Sequence, residues 1–167
     1  YDFLQLPSWI SRDSALGLKP VSERAARRLM KKAVEYALTN NRKRITVVHK
    51  GNVMKFTEGA FCQWSIDEAR QLLGSAYLSK SDYKGTIPEG KVLVQDRIAD
   101  AMFQDLLLYP ENHELIVTLN LNGDYLSDAA AALVGGLGVA PGANFGDSVV
   151  LFEAVHGTAP DIAGRDI

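Results

Sequence analysis

The chain has 167 residues, of which 47% are hydrophobic and 23% charged. This composition is typical of a globular chain that buries a core, and it excludes a disordered chain. Its formal net charge is -2, with acidic and basic residues interspersed, so no basic surface for nucleic acid or an anionic membrane is evident. No apolar run reaches the roughly 18 residues that cross a bilayer, and no signal peptide opens the chain. We therefore expect a cytoplasmic protein that binds small molecules, with neither nucleic acid nor a membrane as partner.

The first 21 residues form no regular pattern and predict an arm or a sheet edge. Ser22 then precedes an acid and an alanine-rich run, which predicts a capped helix reaching about Thr39. Its apolar residues recur at spacings of three or four, so one face is expected to pack inward: Ala26, Leu29, Ala33 and Ala37.

Strands and helices alternate through the rest of the chain. Short apolar or β-branched runs predict strands at Arg44–His49, 92–95, 115–119 and 148–152. Helical periodicity predicts one or two helices in 53–74 and single helices at 96–108 and 127–133. Turn-forming residues predict a loop with a hairpin-like stretch at 79–91 and a glycine-rich loop at 135–146. The alternation predicts an α/β architecture.

The lone cysteine and the chain ends limit other interpretations. With only Cys62, no internal disulfide forms, and we expect this residue to be a small buried side chain without an activated thiolate. The chain begins at Tyr1 without an initiator methionine and stops at Ile167, which we interpret as an interior part of a longer protein.

Two pairs of carboxylates are candidate metal ligands. Asp124 and Asp128 are four residues apart where a helix begins, and that spacing puts them on one face, near enough to share Mg²⁺ or Mn²⁺. The alternative is a capping aspartate and a solvated one. Asp96 and Asp100 lie on one polar helical face. Either one of them is a third metal ligand, or the face is simply exposed to solvent. Spacing does not choose between them.

Lys50 directly follows a predicted buried strand, at the end of the sheet where α/β proteins bind ligands. A partly desolvated ammonium there exchanges protons readily, although a lysine that only reaches to solvent fits the same pattern. For His49 we predict a packed or surface histidine. The glycine-rich segment lacks the third glycine of a dinucleotide fingerprint, because Pro141 takes that position, and a nucleotide would fit better at the loop 156–164.

Four segments together closely resemble the bacterial isocitrate dehydrogenases, members of the β-decarboxylating dehydrogenases. They are 47-VVHKGNVMKFTEGAF-61, 119-LNLNGDYLSDA-129, 135-GGLGVAPGANFGD-147 and 153-EAVHGTAPDIAG-164. The sister 3-isopropylmalate dehydrogenases differ at HKGN and usually carry phenylalanine where Asn122 stands.

The resemblance implies an isocitrate/isopropylmalate dehydrogenase-like α/β fold, with mixed sheets flanked by helices, that is not a standard Rossmann fold. It also implies three parts. Residues 1–21 would be the end of a dimer-interlocking arm, residues 22–134 a small α/β domain, and residues 135–167 the start of the return into a large domain.

Site roles follow from the same resemblance. Lys50 matches the catalytic lysine that takes the proton of the substrate C2 hydroxyl, and Asn52 matches a residue near substrate and nicotinamide. Asp124 and Asp128 match metal ligands of one subunit, and Asp100 matches a ligand from the other, so isocitrate would be bound by a homodimer with shared sites. The partner tyrosine and the residues that grip the substrate would precede Tyr1.

The loop that surrounds the cofactor adenosine in the family matches seven residues: His156, Gly157, Thr158, Ala159, Pro160, Asp161 and Ile162. NADP-using enzymes typically have lysine and tyrosine at the last two positions. An aspartate accepts hydrogen bonds from ribose hydroxyls and repels a 2'-phosphate, so Asp161 predicts NAD.

The expected activity is that of an NAD-dependent isocitrate dehydrogenase, which converts isocitrate to 2-oxoglutarate and CO₂ with a divalent cation. Two alternatives stay open. One is a sister dehydrogenase acting on homoisocitrate or 3-isopropylmalate, and the other is a non-catalytic interaction module.

Overall fold

The computed structural model describes residues 10–11 and 13–165. Most of the predicted arm therefore lies outside the described residues, and residues 13–22 contain no helix or strand. The division of the chain into arm, small domain and large-domain segment stays a prediction.

Helix α1 spans Glu23–Thr39, as its cap predicts. The Ser22 hydroxyl accepts a hydrogen bond from the Ala25 amide at 3.3 Å, which satisfies one of the free donors at the helix start. The buried stripe differs by one position from the prediction, because Leu29 is 41% exposed while Met30 is fully buried.

A four-stranded parallel sheet forms the centre of the fold, in the order β2-β3-β1-β4. Its strands are β1 at Arg44–His49, β2 at Tyr77–Ser79, β3 at Val92–Ile98 and β4 at Leu115–Thr118. A π-helical turn at Lys55–Gly59 leads into α2 at Ala60–Leu73, and the later helices are α3 at Ala99–Leu108 and α4 at Asn120–Val134. Short 3₁₀ turns lie at Gly74–Ala76, Pro110–Asn112 and Leu137–Val139.

Helices cover both faces of this sheet. Because side chains alternate along a strand, a strand such as β1 packs against the helices on both sides. Ile45 and Val47 of β1 pack into a cluster with α1 and α2, whereas Val48 faces α3 and α4 and lies with Met102 and Leu126 in a second cluster. A parallel sheet buried on both sides is the expected result for βαβ connections. The predicted α/β class is confirmed.

The remaining strands, β5 at Pro141–Phe145 and β6 at Val150–Ala154, pair antiparallel in a separate two-stranded sheet. The glycine-rich stretch is thus partly a strand. It does not connect a strand to a helix, which agrees with the missing dinucleotide fingerprint.

Two predictions around β3 were wrong, namely the end of this strand and the hairpin-like stretch before it. β3 continues to Ile98 because all six residues of β1 pair with it, from Arg44↔Leu93 to His49↔Ile98. Asp96 therefore lies on a strand and shares no helical face with Asp100. The stretch 79–91 is no hairpin, since β2 pairs with β3 in parallel.

The start of α4 was also placed too late. The helix begins at Asn120 and includes Gly123, whose amide donates to the Leu119 carbonyl at 2.9 Å. A Cβ at Gly123 would approach Thr118 Cγ2 to 3.2 Å, so close packing favours glycine there despite its poor helix propensity. Within the residues that the structure describes, no helix has the length and apolar character of a membrane span.

Candidate active site

The candidate active site lies at the carboxyl edge of the parallel sheet. Lys50 follows β1, Asp100 is in the first turn of α3 after β3, and Asn122 is in the first turn of α4 after β4. The Lys50 ammonium pairs with the Asp100 carboxylate. This hydrogen bond lowers the pKa of Asp100 below its usual value. Carboxyl ends of parallel strands are where α/β proteins bind ligands.

The backbone of Lys50 is fixed on both sides. Its carbonyl accepts hydrogen bonds from the amides of Val53 and Met54, at 3.1 and 2.9 Å, and so closes a tight turn. Asn52 lies exposed within this turn. Gly51 meets the Gly59 backbone so closely that a Cβ would be 2.8 Å from Gly59 Cα. The turn that presents Lys50 therefore depends on a glycine at position 51.

His49 is a packed residue that supports the same turn. Its Nδ1 accepts from the Gly51 amide at 3.0 Å, so a neutral His49 carries its proton on Nε2 and donates it to Asp96, 3.3 Å away. The hydrogen bond from His49 is the main reason that the pKa of Asp96 is lowered. Asp96 thus orients a histidine, and the assignment of Asp100 as a metal ligand stays a prediction.

Cys62 lies beside this pair, and the ligand atoms of His49, Cys62 and Asp96 all lie within 4.8 Å of one another. A metal ion would need a free histidine nitrogen, but one nitrogen receives the Gly51 amide and the other donates to Asp96. Burial, with a smaller contribution from Asp96, raises the pKa of the Cys62 thiol to about 12. We conclude that Cys62 is a buried thiol, as predicted.

Glu58 is only 1% exposed and was not among the predicted site residues. It pairs with Lys19 and accepts hydrogen bonds from the Lys50 amide at 2.9 Å and from Asn122 Nδ2 at 2.8 Å. Burial alone would raise the pKa of Glu58, but these partners together outweigh it and hold that pKa below its usual value.

A sequence signal for Glu58 exists. The buried residues of the following helix include Phe61, Cys62, Ser65 and Ala69, so position 58 falls on the same stripe at helical spacing. An acid on an apolar stripe needs internal partners, and that requirement marks it for closer study.

Asp124 and Asp128 are exposed one turn apart on α4. Neither carboxylate forms a hydrogen bond or an ion pair with any residue that the structure describes, so their charge is available for a cation. The described residues of one chain hold a single three-ligand group, that of His49, and these acids do not join Asp100 in another. Their assignment as metal ligands stays a prediction.

The predicted cofactor loop is exposed from His156 to Ile162. Its order comes from local bonds: His156 Nδ1 donates to the Gly157 carbonyl at 2.8 Å, and the Ile162 amide donates to the Ala159 carbonyl at 3.1 Å. Ala159 has a φ of 44°, which is uncommon for a residue with a Cβ.

The fold and the site define an α/β protein with a lysine and several carboxylates gathered at the carboxyl edge of a parallel sheet. The Isocitrate/isopropylmalate dehydrogenase family matches residues 6–167. The chain belongs to that family.

Individual relatives agree with this assignment. The chain is 53% identical to Isocitrate dehydrogenase (NADP) from Archaeoglobus fulgidus over 161 residues, covering 94% of this chain and 39% of that protein. It is 52% identical to Isocitrate dehydrogenase (NADP) from Pseudomonas aeruginosa, covering 93% of this chain and 38% of that protein. The chain thus spans well under half of the length of these relatives.

Two solved structures share the fold. Isocitrate dehydrogenase from Methylococcus capsulatus matches with a TM-score of 0.75 and 37% identity, over 92% of this chain and 40% of that one. The TT0538 protein from Thermus thermophilus matches with a TM-score of 0.77 and 35% identity, over 93% of this chain and 28% of that one.

The prediction of NAD was wrong, because the similar dehydrogenases are named for NADP. Its physical weakness is visible in the loop. Asp161 and Ile162 are exposed, and water and salt screen the repulsion between an exposed carboxylate and a phosphate. Arg165, whose amide donates to the Ile162 carbonyl at 3.0 Å, also adds positive charge to the same turn. One loop aspartate did not decide the cofactor.

Proposed function

We propose that the protein catalyses the metal-dependent oxidative decarboxylation of isocitrate to 2-oxoglutarate and CO₂, with NADP as the hydride acceptor. The observation that carries the proposal is the Lys50–Asp100 pair at the sheet edge of a chain in this family. The names of the similar dehydrogenases support both substrate and cofactor.

In this proposal Lys50, as the neutral amine, takes the proton of the substrate C2 hydroxyl as hydride leaves the same carbon for NADP. A base must be held within hydrogen-bonding reach of the proton that it removes. The Lys50 backbone is held by the Glu58 carboxylate and by the turn to Met54, while its side chain is directed toward Asp100. These contacts limit the positions that the Lys50 nitrogen can occupy.

Asp100, Asp124 and Asp128 would hold Mg²⁺ or Mn²⁺, since carboxylate oxygens suit both cations and two of these acids have no partner among the described residues. When bound, such a cation draws electron density from the substrate oxygen and so favours loss of CO₂. Asp100 pairs with Lys50, so the base and one ligand are positioned together.

We also propose that the active protein is a homodimer. Within the described part of one chain, Asp100 does not meet Asp124 and Asp128 in a three-ligand group. A second copy that supplies Asp100 and Lys50 would complete the site. The proposed parts at residues 22–134 and 135–167, and a cytoplasmic location, belong to the same hypothesis.

The test is NADP reduction by the intact protein with isocitrate and Mg²⁺. Lys50→Met should lower kcat by about 10² to 10⁴-fold, the usual contribution of a general base. Lys84→Met, at an exposed loop position, is the matched control and should retain activity. Full activity of Lys50→Met, or no NADP reduction by the unmodified protein, would refute the proposal.

A substrate panel tests the specificity. Homoisocitrate and 3-isopropylmalate should give much lower kcat/KM than isocitrate. A higher value for one of them would move the assignment to a sister dehydrogenase.

A further inference from the structure

The buried Glu58 carboxylate joins three separate segments of the chain. One oxygen pairs with Lys19, in the segment before α1. The other accepts from the Lys50 amide after β1, at 2.9 Å, and from the Asn122 side chain at the start of α4, at 2.8 Å. A carboxylate that is 1% exposed therefore reaches both elements that carry the proposed chemistry.

Stability alone does not explain a carboxylate in this position. Burying an ion costs desolvation energy, and apolar residues of similar volume often stabilise a core as well or better. Glu58 also lies just before α2, where Phe61 is fully buried, so an apolar side chain would suit its surroundings. What an apolar side chain lacks is the ability to accept hydrogen bonds from two specific donors at once.

The two donors, the Lys50 amide and the Asn122 side chain, lie beside the groups to which we assign the chemistry. The Lys50 amide belongs to the proposed base, and the next amide, of Gly51, is held by His49. Asn122 is two residues before Asp124 on the same helix. The Lys50 turn and the start of α4 follow the paired strands β1 and β4, and one carboxylate oxygen joins them beyond the strand ends.

We propose that Glu58 is a positioning residue of the active site, which holds the Lys50 backbone and the start of α4 in a fixed relation. The role rests on the proposed function: in the proposed homodimer, Lys50 and the α4 acids of one chain serve two different sites, so Glu58 would place the base of one site and metal ligands of the other. Glu58 itself is buried and does not act on substrate.

The test is Glu58→Gln in the intact protein. A glutamine has nearly the same shape, but with its oxygen turned to Lys50 and Asn122 its amide hydrogens face the Lys19 ammonium, and with its oxygen turned to Lys19 they face the other two donors. We expect kcat for isocitrate to fall about 10 to 100-fold, the range for residues that orient metal ligands, with KM changed much less. Hydrogen exchange at the Lys50 and Gly51 amides should become at least about tenfold faster as the Lys50 hydrogen bond weakens.

Glu68→Gln is the matched control, because Glu68 pairs with Arg27 at 3.1 Å on α2 and does not contact the Lys50 turn. It should leave kcat and exchange at Lys50 unchanged, while thermal unfolding reports its effect on stability. Unchanged kcat, or unchanged exchange at Lys50, in a folded Glu58→Gln protein would overturn the proposal.

If Glu58→Gln does not fold, Asn122→Ala keeps the carboxylate and removes one donor. A fall in kcat of about three- to tenfold would then support the positioning role, and an unchanged kcat would refute it. If the unmodified protein does not oxidise isocitrate, the proposed function fails, whereas the exchange measurement still decides whether Glu58 holds the Lys50 turn.

Discussion

Two regions of the chain carry family motifs but differ in how they are supported. In the parallel sheet with its helices, the Lys50 turn is held by Glu58 and His49, both of which are buried. In the β5–β6 hairpin and the following loop, apolar side chains such as Leu151 and Phe152 are 62% and 73% exposed. The side chains of a motif are held in place where other residues of the chain contact them. The Lys50 turn has these contacts, whereas the predicted cofactor loop has only local ones within the part of the chain that the structure describes.

The largest expected effect compares the same substitution in the two regions. Phe61 is fully buried in the main core, so Phe61→Ala should lower the free energy of unfolding by about 3–5 kcal/mol through lost burial and a cavity. Phe152→Ala should change it by about 0.5 kcal/mol or less, because that ring is already exposed. Urea unfolding of the 167-residue chain, followed by circular dichroism, measures both values.

Similar losses in both variants would show that the hairpin is as well supported as the sheet, and the comparison would fail. An unchanged slope of the unfolding free energy against urea is the control that each variant still unfolds from the same folded state.

A smaller effect is expected from alanine at two glycines. Gly51→Ala puts a Cβ 2.8 Å from Gly59 Cα and from His49 Nδ1, so the turn must shift, at a cost of about 1–3 kcal/mol. Gly157→Ala meets no atom within 4 Å and should be nearly neutral. The same urea measurement tests them, and a neutral Gly51→Ala would mean that the Lys50 turn is not tightly packed.

The sequence predicted the elements of the first region well because hydrophobic periodicity is a local signal. The strand Arg44–His49 and the capped helix from Glu23 were correct. The errors arose where pairing between distant segments decides the outcome. β3 extends to Ile98 because β1 continues beside it, and no local pattern around Asp96 shows that partner.

The site was predicted in part for the same reason. Lys50 follows its strand directly, so its place at the sheet edge could be inferred, and the choice of Asp100 came from a resemblance and not from spacing. Glu58 was missed because its donors come from Lys19, Lys50 and Asn122, far apart in the sequence. The cofactor inference failed because Asp161 was judged by its charge alone, without its exposure.

The smallest expected effect is a pH dependence of stability that arises in the first region. His113 donates to Asp105 at 3.1 Å and contacts the Thr46 hydroxyl at 2.9 Å, while Arg97 binds Asp105 with two hydrogen bonds of 2.6 and 2.7 Å. Burial lowers the pKa of His113, although Asp105 opposes this shift. The Arg97 hydrogen bonds are the main cause of the lowered pKa of Asp105.

Both shifts destabilise the folded chain in acid. A histidine whose pKa is lower in the folded chain binds its proton more readily when unfolded, so the stability that it contributes is complete above pH about 6.5 and is lost as pH falls through the folded pKa. The Asp105 contribution is lost further into the acid range, below about pH 4. His113→Gln should therefore flatten the fall in unfolding free energy between about pH 7 and 5, whereas Phe152→Ala, which changes no titratable group, should leave that slope as it is. If the unfolding free energy of His113→Gln falls with pH as steeply as that of the unmodified chain, protonation of His113 does not contribute to the acid destabilisation. The two regions would then differ in packing alone.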